Sequence, residues 1–504
     1  MPWNYDTSLD RVQKHLDGMG EIEVVPYTRE MDLEGLSETR CRDIFGAHVY
    51  GEIRNLSVLV SQRTTKPERQ ELIQATQIYQ REVARIAEKL GAERIVFQGG
   101  RAHLLVHHPV ADAAGIAKIA VLLQMVLDGF GVAFNTEFDN LEDAEIRSGA
   151  DMGSAIGTRN GTAGDRELLF IGPAANHAAK LLAPGTAPRR LTKAIADVLP
   201  DDLASYVVED GDTFKLTRPT ASALADLLAK YEIDWTADGC AERLAGDRDL
   251  FPAASAGLWG TDKKIDFDAL SYSTSRLVAG ATLFGDVSGF TAYVDSAKTD
   301  AEKADALRAL HAVRKEMAEV VKKDSAGVRV QFQGDRVEAI FSLPADDAAG
   351  VSDEAVRAAV GLQSSFEEVL KKLLPQISGL GLAVGISRGD TIAARLGERA
   401  HRDRILLGEE VLRAERNEER VGKNQIGISA NVHDHLSTEL AAEFGWDAAS
   451  GCYVATGLDQ AKLDLAEAAK AVAAGKPLYI EGPTVTAVPT AGRAIQPAAS
   501  HGPR

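Results

Sequence analysis

Cysteine is nearly absent from this 504-residue chain, and the three present (Cys41, Cys240 and Cys452) lie far apart. That odd, scattered set excludes a disulfide framework and a cysteine-rich metal cluster. Basic residues are in short supply, with 56 Lys and Arg against 74 Asp and Glu and a formal net charge of −18. Phosphate-rich partners would be repelled at long range, which argues against nucleic acid or an anionic membrane as partner. No apolar run approaches the ~20 residues that span a bilayer. The first thirty residues lack the basic and apolar regions of a signal peptide, so the cytoplasm is the expected location. A small anionic substrate stays open, provided that cations are bound locally.

What is present suits a globular protein of two or three domains: 45% hydrophobic and 26% charged residues. The chain also repeats itself. Met31–Ser37 resembles Ile265–Ser271, the stretch from Gly46 to Glu52 matches that from Gly280 to Asp286, and Phe97–Arg101 matches Phe332–Arg336. Gly149, Gly153 and Gly172 fall opposite Gly385, Gly389 and Gly408. The offsets run 234 (46 to 280), 235 (99 to 334) and 236 (149 to 385). Such a long period means duplicated domains rather than a solenoid.

Each copy reads alike. A short apolar strand (Ala47–Tyr50; Ala281–Phe284) precedes a helix with apolar residues at Leu72, Tyr79, Val83, Ile86 and Leu90, or at Leu307, Leu310, Val313, Met317 and Val320. A hairpin-like pair follows (Arg94–Val106; Val328–Ser342), then a second helix and strand. The order predicts an α+β fold with an antiparallel or mixed sheet and helices on one face. The expected organisation is an N-terminal extension (1–40), a first copy (41–220), a linker (221–275), a second copy (276–483) and a disordered tail (484–504).

Two aspartates stand out in the second copy. Asp286 ends a strand before a small-residue turn, Gly289-Phe290-Thr291, whose amides can cradle phosphate oxygens. Asp335 sits at the hairpin turn. Carboxylates on adjacent strand ends can jointly hold two hard divalent cations for in-line phosphoryl transfer. His103, His107 and His108 lack a fourth ligand at zinc-site spacing. Arg101 and Arg336 follow the hairpin turns in both copies and read as structural. Arg388, Arg395, Arg399 and Lys215 are further candidates for a phosphate contact, and spacing does not decide it.

The run Phe284-Gly-Asp286-Val-Ser-Gly289-Phe290-Thr291, with Gly334-Asp335, Val384–Gly389 and Leu407–Val411, resembles the class III nucleotidyl cyclase homology domain. The resemblance covers roughly 200 residues of copy two, and copy one is similar to a divergent version. It implies two tandem ferredoxin-like domains paired head to tail, with each site shared between them. By the family pattern Asp286, Val287 and Asp335 hold two Mn²⁺ or Mg²⁺ ions, and Gly289, Phe290 and Thr291 hold the polyphosphate. The family's asparagine and arginine positions are Asn176 and Lys180 in copy one, and Leu412 and Arg416 in copy two. Copy one has Glu52 and Gly100 at the metal positions. One complete site and one degenerate site are therefore expected within a chain, and a homodimer is left open.

The base-selecting positions of the complete site fall on Val96 and Leu169, both aliphatic. A purine edge read by hydrogen bonds needs polar groups there. In this the chain is similar to the bacterial pyrimidine cyclases of antiphage (Pycsar) systems. The expected reaction converts UTP, then CTP in order of preference, to the 3′,5′-cyclic monophosphate and pyrophosphate. The product would act as a second messenger on a separate effector. A purine cyclase and a catalytically dead nucleotide-binding pseudocyclase are the alternatives.

Overall fold

The two glycines that open the repeated motif show why the copies fold alike. In the computed structural model, which describes residues 2–141, 143–160, 167–183, 185–398 and 401–465, Gly46 and Gly280 lie against the far end of their hairpins. A Cβ at Gly46 would meet the Val106 carbonyl oxygen at 2.7 Å, and one at Gly280 the Phe341 oxygen at 2.8 Å. Only a missing side chain lets the central strand approach its neighbour there.

Each copy builds a mixed sheet. The first runs Glu93–Gln98, Arg101–Val106, Arg40–Ile53, Ile146–Asn160, Arg189–Leu191, Thr213–Leu216, Val207–Asp210. Glu167–Ile171 pairs with Ile146–Asn160, beside that path. The second runs Val328–Gln333, Arg336–Phe341, Arg276–Ser288, Gly381–Glu398, Gln425–Ile428, Cys452–Thr456, Gly445–Asp447, with His401–Leu407 beside Gly381–Glu398. The central strands are far longer than the four-residue runs legible in the sequence. Helices Lys66–Lys89 and Ala113–Glu137 cover the first sheet, and Asp300–Glu319 and Ala348–Ser364 the second. Matching capping boxes, Thr65 with Glu68 and Thr299 with Glu302, start the first helix of each pair.

Ala113–Glu137 is long and apolar enough to cross a bilayer, yet 78% of its most apolar window is buried within the protein. It is the central core helix of copy one. The segment after residue 220 is more than a spacer. Helices Ala221–Lys230 and Ala237–Leu250 insert Leu224, Leu227, Leu228 and Leu244 into the copy-one core, and the connection between them adds Trp235. Arg399 and the tail at 484–504 lie outside the described residues.

Both copies belong to one unit, Met1–Gln460, and pair about a pseudo-twofold axis. Arg94 of copy one pairs with Asp403 of copy two at 2.5 Å, and Arg329 of copy two with Glu167 of copy one at 2.6 Å. Gln77 bonds both the amide and the carbonyl of Gly397, at 2.9 and 3.0 Å. On the mirror side His311 Nδ1 lies 2.7 Å from Asn160 Nδ2. The N-terminal extension crosses this joint. Its helix Tyr5–Gly18 docks on copy two through Arg11, paired with Glu316 and Asp324. Its strand Glu23–Pro26 then pairs in parallel with Arg40–Asp43 of copy one.

Candidate active site

The joint between the copies encloses a cavity of about 240 Å³. It collects Asp286, Phe290, Thr291 and Asp335 from copy two, with Val96, Leu169 and Asn176 from copy one. Seven of the ten residues singled out in the sequence thus meet in one place. Gly289 stands just outside as the turn residue before helix Phe290–Ser296, with φ 89°, a conformation that favours glycine. Val287 has its side chain buried in the core, so only its main chain could face a ligand. Lys180 is the residue the structure sets apart. It is exposed and lines the adjoining cavity with Gly100, Leu412 and Arg416. The two cavities share Gln98, Arg101, Ala179 and Gln333.

The strand register explains why one half keeps bare carboxylates. In copy one Glu52 lies opposite Arg147 and, on its other side, Arg101. Both guanidinium groups bind it, Arg101 Nε at 2.8 Å. In copy two Asp286 lies opposite Ala383, which offers no charge. Arg336, the counterpart of Arg101, turns to Glu415 and Glu418, each at 3.0 Å. Burial raises the pKa of Asp286, with Arg336 opposing the shift. Burial, followed by the charge of Asp286, raises Asp335 well above the usual carboxylate range. Two partly buried carboxylates that repel each other and have no ion-pair partner among the described residues fit a divalent cation. No cluster of three or more His, Cys, Asp or Glu side chains that could hold a metal occurs among the described residues. The donor set is a carboxylate pair with main-chain oxygen, as hard cations accept.

Copy one also lines the cavity with the rings of Tyr50, His103 and Phe170. Tyr50 stacks on His103 with ring centroids 4.3 Å apart and planes at 10°. His103 Nε2 lies 2.9 Å from His48 Nδ1, and Phe170 packs on both rings edge-on. Burial holds His103 neutral, its pKa well below 6.5. The sequence reading weighed His103 only as a zinc ligand and gave His48, Tyr50 and Phe170 no role, although His48, Tyr50 and Glu52 alternate along one strand and so share a face. It also passed over Glu167 and Arg314. Arg314 falls on the apolar stripe Leu307, Leu310, Met317 of its helix, and a cation on a core stripe was the available signal.

Residues 276–460 match the adenylate and guanylate cyclase catalytic domain family. A uridylate cyclase of Pseudomonas aeruginosa is 28% identical over 467 residues, covering 88% of each chain. A uridylate cyclase of a Rhizobium species is 26% identical over 451 residues, with 83% of this chain and 82% of that protein covered. The crystal structure of a class III adenylyl cyclase-like ATP-binding protein from Pseudomonas aeruginosa superposes with a TM-score of 0.80 at 26% identity, covering 92% of this chain and 99% of that one. Residues 276–460 thus carry a class III cyclase catalytic domain, in a chain whose fold is that of a class III cyclase-like protein. The chain is a nucleotide cyclase built from two tandem homology domains paired head to tail.

Proposed function

We propose that the chain converts a pyrimidine nucleoside triphosphate, UTP ahead of CTP, to its 3′,5′-cyclic monophosphate and pyrophosphate at one site shared by the two copies. The observation that carries this reading is the asymmetry of the acids. Asp286 and Asp335 are bare and share a cavity with Asn176, while Glu52 on the mirror side is closed by Arg101 and Arg147.

Asp286, Asp335 and the Val287 main chain would hold two divalent ions, Mg²⁺ or Mn²⁺. When bound, such ions acidify the ribose 3′-hydroxyl and offset charge on the phosphates. The turn from Gly289 to Thr291 presents amides to the polyphosphate. Asn176 orients the ribose. Lys180, one helical turn further on and exposed, adds positive charge at the rim. No protein nucleophile is needed.

Val96 and Leu169 face the cavity without polar atoms, and the Tyr50–His103 stack fills space beside them. A narrow wall of this kind suits a single-ring base. Two relatives named uridylate cyclases favour the same choice. The cyclic product would act on a separate effector in antiphage defence in the cytoplasm.

Incubation with each of the four nucleoside triphosphates and manganese, followed by chromatography and pyrophosphate assay, tests the reading. Cyclic UMP or CMP is the expected product. Cyclic AMP or GMP would make the chain a purine cyclase, an option supported by the solved relative described as ATP-binding. Nucleotide retention without pyrophosphate would make it a pseudocyclase.

A further inference from the structure

Arg314 is the most deeply buried cation at the shared cavity, its side chain only 2% exposed. It comes from helix Asp300–Glu319 of copy two and reaches Glu167 of copy one at 2.5 Å through one terminal nitrogen. Its guanidinium lies over the Phe332 ring, 4.4 Å from the centroid. Its Nε–H is buried and has no hydrogen-bond partner. A guanidinium in such a place normally has every donor paired, because a buried unpaired donor costs free energy.

The pseudo-twofold axis shows that Arg314 is not needed to close the joint. Glu167 already has Arg329, just as Asp403 has Arg94 on the mirror side. The offset of 234 between the Thr65 and Thr299 capping boxes puts Gln80 opposite Arg314. Gln80 is fully buried in the same fold. Arg314 is therefore an added charge on the side with the bare aspartates.

An arginine donates and never accepts. At a base edge it favours a ring carbonyl and disfavours an amino group. Uracil and cytosine share the 2-oxo group and differ at position 4, where uracil has oxygen and cytosine an amine. We infer that Arg314, held by Glu167, is the specificity-determining donor to the 4-oxo group of a uracil base. This rests on the pyrimidine reading above and names the chemistry that Val96 and Leu169 cannot supply.

The test compares wild type with R314Q, which installs the residue of the mirror position. Initial rates are measured with UTP, CTP, ATP and GTP, and with a UTP analogue that has hydrogen in place of the 4-oxo group. Wild type should lose about ten-fold or more in kcat/KM on the analogue. R314Q should lose about ten-fold or more on UTP, largely through KM, and treat UTP and analogue within about two-fold of each other. Its preference for UTP over CTP should then collapse. An unchanged UTP-to-CTP ratio in R314Q, or a wild type that accepts the analogue as well as UTP, overturns the assignment while the pyrimidine reading stands. Wild type that cyclises only ATP or GTP overturns both. Should R314Q fail to melt cooperatively, the analogue assay on wild type decides alone.

Discussion

Asp286 and Glu52 occupy equivalent positions and meet opposite fates because of one cross-strand neighbour each, Ala383 in one case and Arg147 in the other. An acid facing alanine is left unpaired for a ligand, whereas one facing arginine is neutralised inside the protein. Asp335→Asn should therefore abolish pyrophosphate release, by about 10³-fold or more, without unfolding the chain. It should also raise the melting temperature of the metal-free protein, since it removes one of two repelling charges. A melt and a pyrophosphate assay on the same preparation check both effects. Gly100→Ala, in the mirror half, should leave turnover within about two-fold of wild type.

Buried neutral histidines set the pH response at this same scale. His311 is pressed down to about 3 by burial, then by Arg314. His48 is likewise lowered to about 3 by burial. Between that value and the ordinary 6.5 the unfolded chain binds more protons than the folded one. Stability is thus complete above about pH 6.5 and falls as pH drops through the window. His311→Gln, echoing Gln77 of the mirror side, should flatten the loss by about one proton, roughly 1.4 kcal/mol per pH unit. Urea unfolding at several pH values measures it.

Among the elements, the N-terminal helix has the largest unannounced role. The sequence presents residues 1–40 as an extension, with no motif before Met31 to place them. In the structure Ser8 and Arg11 bring hydrogen bonds to the buried Glu316, and Trp3 packs beside Gly361. Arg11→Ala strips a 2%-exposed carboxylate of its cation and should cost about 3–5 kcal/mol. Thermal or urea unfolding would register that loss, while a change below about 1 kcal/mol would make the helix a surface ornament. The helices after residue 220 were similarly opaque. Their apolar residues mark an amphipathic face, but nothing local says which core receives it.

At the scale of the whole molecule, the two copies line one cavity. Asn176 stands more than a hundred residues before Asp286 and shares its cavity. Asn176→Ala should lower kcat by about 10²-fold or more with the fold intact, whereas Leu412→Asn on the mirror side should restore nothing. A chain in which Asn176→Ala kept full activity would have copy two acting alone. Lys180→Ala separates the remaining case, because a rim charge acts weakly through solvent and should cost less than Asn176→Ala.

The amino-acid sequence by itself determined the duplication, the α+β fold and the lone aspartate pair. Those features are written in register: glycines where backbones touch, capping residues where helices start, and acids at strand ends. Which acid stays free was decided only in three dimensions. Arg147 and Ala383 lie about a hundred residues from the acids they face, and strand pairing alone sets them opposite. The same holds for Arg314, a cation on a core stripe whose purpose depends on Glu167 arriving from the other copy. Periodicity tells which side chains share a face, and the packing of the two copies tells what that face meets.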